Sequence, residues 1–438
     1  VTPDILGMRM AGPAIRALEI AKALHEVAEV RLVSTVGSTL PSNDFLIDFM
    51  DEMQLRKAVS DHEVLVFQGH ILSSYPWIVE TDIIIVADLY DPMHLEILEQ
   101  AKDHPAGDRI THTLNTVEVL NRQIERADFM VCASEKQRDL WIGQLAALCR
   151  INPLTYDADP SLRNLIDVAP FGVQNTSPRQ DRHAIKGAVP GISKEDKVII
   201  WGGGIYNWFD PLTLIRAIAL LAPKHPELRL FFLGVQHPNP NVPAMQMVAE
   251  AMKLSDELGL TNRNVFFNQE WVSYEDRANY LLDADLGVST HFDHVETAFS
   301  FRTRILDYLW SGLPIVSTRG DFFAQVILEH NLGLTVEPEE VDSLAESIET
   351  ALFDKEMRAI FTENVASFRE SMTWANTLAP LVAFCRDPRH AADFGRQIIS
   401  PRENHRRHLK KRIQELENST TWKLGAPFRW LSRRFRRA

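Results

Sequence analysis

Cysteine is scarce. The 438 residues hold three, Cys132, Cys149 and Cys385, with no C-x-x-C pair among them. That excludes a disulfide scaffold and fits reduced core thiols of a cytosolic protein. No apolar run approaches the ~18 residues that a membrane span needs. No signal-peptide pattern is visible, and the chain opens on Val1 rather than Met, which leaves the start of the full protein open. Internal repeats and low-complexity tracts are absent. Hydrophobic residues make up 45% of the chain, which excludes a disordered or collagen-like protein. The length allows roughly two or three domains.

Charge is present but uneven. Residues 401–438 carry 12 Lys and Arg against 3 Asp and Glu, a net of +9, and residues 1–400 carry −22. The body should repel nucleic acid, whereas the tail should seek an anionic surface.

Short apolar runs alternate with helical patterns. Strands are expected at 30–33, 64–67, 83–86, 129–132 and 166–169, with Val1–Ile5 as the end of a first strand. A second set is expected at 198–201, 230–233, 265–267, 286–288, 315–317 and 334–336. Continuous rather than alternating apolarity fits parallel strands buried on both faces. Amphipathic stretches such as Ala14–Leu24 and Leu212–Leu221 lie between them. The class is therefore α/β, with two Rossmann-like domains joined within Asn175–Asp196.

Four loops sit where a strand feeds a helix, the edge at which open α/β sheets bind ligands. In Gly7–Pro13, Gly12 permits close backbone approach, and Arg9 and Arg16 suit an anion site; a plain tight turn is the alternative. In Trp201–Pro211, Gly202, Gly203 and Gly204 end a strand and Asp210-Pro211 starts a helix. The further glycine of a dinucleotide fingerprint is missing. In His291–Arg304, a helix expected from Ser300 to Gly312 puts Arg302 and Arg304 in its first turn. Cations are disfavoured there by ~0.3–1 kcal/mol unless an anion compensates. Pairing with Asp293 or Glu296 is the alternative, and a metal cluster lacks the H-E-x-x-H spacing. After the strand 83–86, Asp88 and Asp91 could bind sugar hydroxyls or act as a base, or Asp91 could merely cap a helix before Pro92.

These residues resemble the GT-B nucleotide-sugar glycosyltransferases, and among them the retaining family 4 of the bacterial surface-polysaccharide type. The resemblance runs through Ala127–Ser134, Val168–Val173, Asn268–Ser289 with Trp271, and Arg304–Val316, and covers most of residues 1–390. The chain departs from the family in three places. Of two glutamates normally eight apart, Asp307 holds the second place and Phe299 the first, with Glu296 nearby. The usual Arg and Lys after the glycine-rich loop are not evident. A family histidine reads Ala87-Asp88.

The resemblance implies an acceptor domain at 1–175 and a donor domain at 176–392, with a crossover helix near 373–386. It implies transfer of a sugar from a nucleoside diphosphate to a glycan, in the type case lipid-linked, with no metal or other cofactor. Asp88, Asp91, Arg302 and Arg304 are the expected catalytic residues. Gly202, Gly203, Gly204, Trp271, Glu296, Ser300, Phe301 and Asp307 would hold the donor, with Asp307 on the ribose. Gly12, Arg9 and Arg16 would face the acceptor. An epimerase, or a silent subunit that binds sugar nucleotides, are the rivals.

The tail, 393–438, reads as a charged helix over 402–418 with Leu409, Ile413 and Leu416 on one stripe, then an aromatic and arginine-rich segment with Trp422, Phe428, Trp430 and Phe435. That composition suits an interfacial membrane helix, with a solvated tail or a protein contact as the alternative. It implies a peripheral protein on the cytoplasmic face of an anionic membrane, with nucleic acid not expected as a partner. Oligomeric state stays open.

Overall fold

The computed structural model describes residues 1–8, 10–235, 245–270, 272–396, 401–419 and 422, without the side chains of 401–407 and 417. Its twelve described strands all pair in parallel. The first half holds β1 (Arg31–Ser34) with β2 (Leu46–Phe49), and a separate sheet of β3 (Val64–Gln68), β4 (Ile84–Asp88), β5 (Phe129–Cys132) and β6 (Ile166–Val168). The second half has one six-stranded sheet: β7 (Lys197–Trp201), β8 (Leu228–Phe232), β9 (Val265–Phe267), β10 (Leu286–Ser289), β11 (Ile315–Thr318) and β12 (Gly333–Val336). Its order, β12-β11-β10-β7-β8-β9, turns back beside β7. The crevice at the carboxyl ends of β7 and β10 is thus a topological switch point, where such sheets bind ligands.

The continuous apolar runs mark the buried strands. Every residue of β4, β5, β10 and β11 is buried. β2 was not expected, because it is a half-exposed edge strand reading Leu-Ile-Asp-Phe. Val1–Ile5 makes no strand. Thr2 and Leu6 form isolated parallel bridges with Ser34 and Ser38 instead. β4 runs on to Asp88, two residues past the expected end, so Asp88 is a strand residue rather than a loop residue.

The expected helix from Ser300 is two elements. A short helix covers Val295–Phe299, and the next starts only at Arg304 and ends at Ser311, where Gly312 takes a left-handed φ of 73°. Asp210 caps the helix Pro211–Leu221 by accepting from the Thr213 N–H at 2.9 Å, as its Asp-Pro start indicates. Asp91 makes no such cap on Met93–Gln100.

The join carries no helix or strand between β6 and β7. Asp283 holds it by accepting from the backbone N–H groups of Ala184 and Ile185, both at 2.7 Å. The chain then crosses back. Val173 and Thr373 form a parallel bridge, and Phe384 of the helix Ala379–Arg386 stacks on Phe129 of β5 at 4.4 Å. Gly172 permits this crossing, since a Cβ there would stand 2.7 Å from the Trp374 backbone.

The helix Pro401–Asn418 is present, with Leu409, Ile413 and Leu416 about half exposed. Phe428, Trp430, Phe435 and the arginines around them lie outside the described residues. No helix among the described residues is long and apolar enough to cross a membrane.

Candidate functional site

A cleft of about 520 Å3 opens between the two halves, at strand carboxyl ends of both. One wall is Gly12 and Pro13 at the start of the helix Gly12–His25, then Tyr90, Asp91, Glu96 and Phe171. The other is Gly202–Gly204, Tyr206, Trp208 and Phe209, with Glu296, Ser300–Arg304 and Asp307. Chain topology alone brings these segments together, since each leaves its strand on the same side of its sheet.

Gly202–Gly204 follows β7. The Gly202 N–H donates to the Tyr308 hydroxyl at 2.8 Å, and that hydroxyl donates to the Val288 carbonyl at 2.7 Å. The loop is thereby tied to β10 across the switch point. Gly203 needs its glycine for a φ of +76°, and a Cβ there would meet nothing within 4 Å. Gly287 is tighter still, because a Cβ would stand 2.3 Å from the Tyr308 ring.

Arg304 is the first residue of its helix and 7% exposed. Its Nη2 donates to the Gly204 carbonyl at 2.9 Å, and its guanidinium lies over Phe209 at 3.9 Å and Trp201 at 4.2 Å. Nη1 is buried with no hydrogen-bond partner. Among the described residues, no carboxylate forms an ion pair with Arg304. Burial pulls its pKa down to about 10, with nearby Arg302 adding to the effect. Asp321 offsets this in part, but a buried cation with no carboxylate bonded to it at a helix start is a site for an anion.

Arg302 differs from expectation. It precedes the helix and donates Nη1 and Nη2 to the two oxygens of Glu296 at 3.0 and 2.7 Å. The pairing with Glu296, left open by the sequence, is the one that forms. It neutralises Arg302 and occupies Glu296. Ser300 lines the cleft but donates to the Thr297 carbonyl at 3.0 Å, and Phe301 packs at 4.7 Å on Phe323.

Asp88 and Arg16 are corrected together. Arg16 donates to both Asp88 oxygens and to the Ala169 carbonyl, with neither side chain exposed. Neither lines the cleft. Each Asp88 oxygen accepts from Arg16, so the guanidinium already faces a carboxylate, although its Nη1 is buried without a hydrogen-bond partner. Arg9 and Trp271 lie outside the described residues.

Asp91 is in the cleft, but not as a free base. Burial raises its pKa well above the usual carboxylate value, and Glu96, which hydrogen-bonds to it, raises it further, as do Glu296 and Asp88. Burial raises Glu96 too. Asp307 accepts from Arg277 Nε at 2.9 Å; burial raises its pKa, and Arg277 opposes the shift.

Sequence reasoning missed Glu96, Tyr90, Gln137 and the stacked pair Tyr206 and Trp208, 4.9 Å apart. Gln137 Nε2 donates to the carbonyls of Tyr90 at 3.0 Å and Phe299 at 2.8 Å, bridging the two walls. Gln137 is the third residue of the helix Glu135–Ala147, and its Ser134-x-x-Gln137 spacing signals a helix start rather than a bridge to the other wall. The Tyr206–Trp208 pair had a signal, since three aromatics lie within five residues after the triple glycine.

Comparison with known proteins agrees with this architecture. The family described as glycosyl transferases group 1 matches residues 185–368. A D-inositol 3-phosphate glycosyltransferase of Saccharomonospora viridis is 23% identical over 293 residues, 64% of this chain and 65% of that protein. One from Corynebacterium glutamicum is 27% identical over 236 residues, 53% of each. The chain thus spans less than two thirds of these relatives' lengths. Among solved structures, Anabaena HepE, determined with UDP and glucose, has a TM-score of 0.61 at 16% identity, covering 86% of this chain and 98% of that one. WaaG, a glycosyltransferase involved in lipopolysaccharide biosynthesis, has a TM-score of 0.57 at 16% identity, covering 92% and 100%. The fold is GT-B, two Rossmann-like domains with parallel sheets facing a cleft.

Proposed function

We propose that the protein is a glycosyltransferase that moves a sugar from a nucleoside diphosphate to a glycan acceptor with retention of configuration. Residues 176–392 would hold the donor and 1–175 the acceptor. The observation that carries the reading is Arg304, a buried cation without a carboxylate partner beside Gly202–Gly204 at the switch point. As the bond to the sugar breaks, charge grows on the diphosphate. A preorganised cation and the loop's N–H groups stabilise that charge without a metal. Asp307 would accept from the ribose hydroxyls, and the Tyr206–Trp208 pair offers an aromatic face. The group 1 match over 185–368 supports the donor half, and the UDP complex of HepE supports a uridine donor.

The acceptor side rests on the tail and on the family resemblance. A +9 tail on a −22 body suits a lipid-linked glycan at the cytoplasmic face of an anionic membrane, in surface polysaccharide synthesis. The named relatives make a phosphorylated cyclitol the acceptor to test beside it. Thermal shift against a panel of nucleotide sugars identifies the donor, because binding stabilises by mass action. Labelled donor, with and without acceptor, then separates the activities. Transfer only with acceptor supports the reading, epimerised donor points to an epimerase, and binding without turnover points to a silent subunit.

A further inference from the structure

Gln137 is fully buried, and its amide is bonded through the oxygen and the nitrogen. Its backbone N–H donates to the Ser134 hydroxyl at 3.1 Å, which seats it in the first turn after β5. Its Oε1 accepts from the Ala133 N–H at 2.8 Å. That bond settles which end of the amide is which. Nε2 is the end that faces the Tyr90 and Phe299 carbonyls, two groups that can only accept. A reversed amide would set its oxygen against both carbonyls and its nitrogen against an N–H.

The two carbonyls belong to opposite walls of the cleft. Tyr90 lies just past the end of β4 and directly precedes Asp91. Phe299 ends the helix Val295–Phe299, and the last carbonyls of a helix have no partner within it. Gln137, 162 positions away in sequence, bonds to one of them. The same short helix carries Glu296, whose two oxygens hold Arg302, and Ser300–Arg304 continue from it along the donor wall. Beside the bridge, Lys136 Nζ stands 5.5 Å from the centre of the Phe299 ring, and Phe171 stacks on Phe301 at 6.5 Å.

Resting on the proposed glycosyltransferase activity, we infer that Gln137 is a positioning residue for sugar transfer. By holding the Tyr90 and Phe299 carbonyls on one amide, it sets the spacing between the acceptor wall at Tyr90–Asp91 and the donor wall at Phe299–Arg304. A reaction between two bound groups depends steeply on their separation, and a misplacement of about 1 Å can cost ~100-fold in rate. Donor binding needs only its own wall. Loss of the bridge should therefore spare donor binding and spoil the meeting with the acceptor. The sugar–phosphate bond can then still break. Water replaces the acceptor hydroxyl as the source of the oxygen bonded to the sugar and of the proton released.

The test compares the parent with Gln137→Met and Gln137→Glu. Methionine keeps the shape and loses every bond, whereas glutamate keeps an acceptor for Ala133 and loses both donors. UDP affinity is read by titration calorimetry and the radius of gyration by small-angle scattering. Turnover of UDP-glucose is followed with and without D-inositol 3-phosphate, separating transfer from hydrolysis. Both variants should bind UDP within about twofold of the parent, transfer about tenfold or more slowly, and show a ratio of transfer to hydrolysis reduced several-fold. Their radius of gyration should exceed the parent's. An unchanged ratio of transfer to hydrolysis overturns this role, as does a loss of UDP affinity that accounts for the whole loss of rate. Variants that do not fold overturn it too, since Gln137 would then serve folding rather than spacing. Where the parent does not transfer, scattering decides, and equal radii overturn the role. A parent that also fails to bind UDP defeats the glycosyltransferase activity separately.

Discussion

Arg16 donates through Nε and Nη2 to the two carboxylate oxygens of Asp88 at 2.6 and 2.8 Å, and the side chains are 0% and 1% exposed. The pair ties the helix Gly12–His25 to the end of β4, and the guanidinium reaches on to the Ala169 carbonyl after β6. Removing one partner leaves a buried charge uncompensated. Arg16→Ala should therefore lower the stability of the first half by about 3–5 kcal/mol, seen as a lower denaturant midpoint. Arg16→Met combined with Asp88→Leu should recover most of that loss. If Arg16→Ala instead spares stability and abolishes turnover, the pair is catalytic after all.

Arg304 is expected to hold the donor diphosphate. Arg304→Ala should weaken nucleoside-diphosphate binding by about 1.5–3 kcal/mol, the range for charged hydrogen bonds, and leave the free nucleoside almost unaffected. Titration calorimetry with both ligands checks this. Equal losses for the two would show that the change had only disturbed the packing on Trp201 and Phe209.

Asp91 and Glu96 set a pH dependence. Their folded-state pKa values are raised from ordinary values of 3.8 and 4.5. The folded protein thus holds protons that the unfolded chain releases, and stability should fall as pH rises from about 4 through the raised values. Asp91→Asn removes the share of that loss that Asp91 carries, and burial of Glu96 leaves the rest. The variant's thermal midpoint should exceed the parent's at neutral pH and converge with it near pH 4. Parallel midpoint–pH curves for the two proteins would rule the coupling out.

Asp307 keeps one cation partner, Arg277 at 2.9 Å. Asp307→Asn preserves its shape but weakens it as an acceptor for ribose hydroxyls, so the donor KM should rise more than kcat falls. A deoxyribose donor should respond less. An unchanged KM for a ribose donor would remove Asp307 from the ribose site.

The tail should carry membrane attachment. A chain ending at residue 401 should turn over a short soluble acceptor as before and lose binding to vesicles with anionic lipid. Binding of the full chain should weaken as salt rises. A truncated chain that still sediments with such vesicles would place the anchor elsewhere. The exposure of Leu409, Ile413 and Leu416 predicts that the truncation leaves the body folded.

How far the sequence reaches is clear from particular elements. β4, β5, β7, β10 and β11 could be read from their runs of Val, Ile, Leu and Phe, because a strand buried on both faces must be apolar at every position. Asp210-Pro211 and Gly312 marked helix ends by local chemistry, a cap and a left-handed turn. The half-exposed β2 carries no such run and was invisible. The glycine-rich loop, Arg304 and Asp307 were legible as site candidates because each lies within a few residues of a recognisable strand or helix end.

Which charges meet was decided only by the tertiary structure. Arg16 and Asp88 are 72 residues apart and form a buried two-bond ion pair. Arg302 and Arg304 look equivalent in sequence, yet Arg302 takes Glu296 and Arg304 takes two aromatic faces and a carbonyl. Local propensity acts over a few residues, so it writes strands and caps into the sequence. Pairing energies of buried charges depend on distance and desolvation in three dimensions, and only the packed sheets and crossing helices set those.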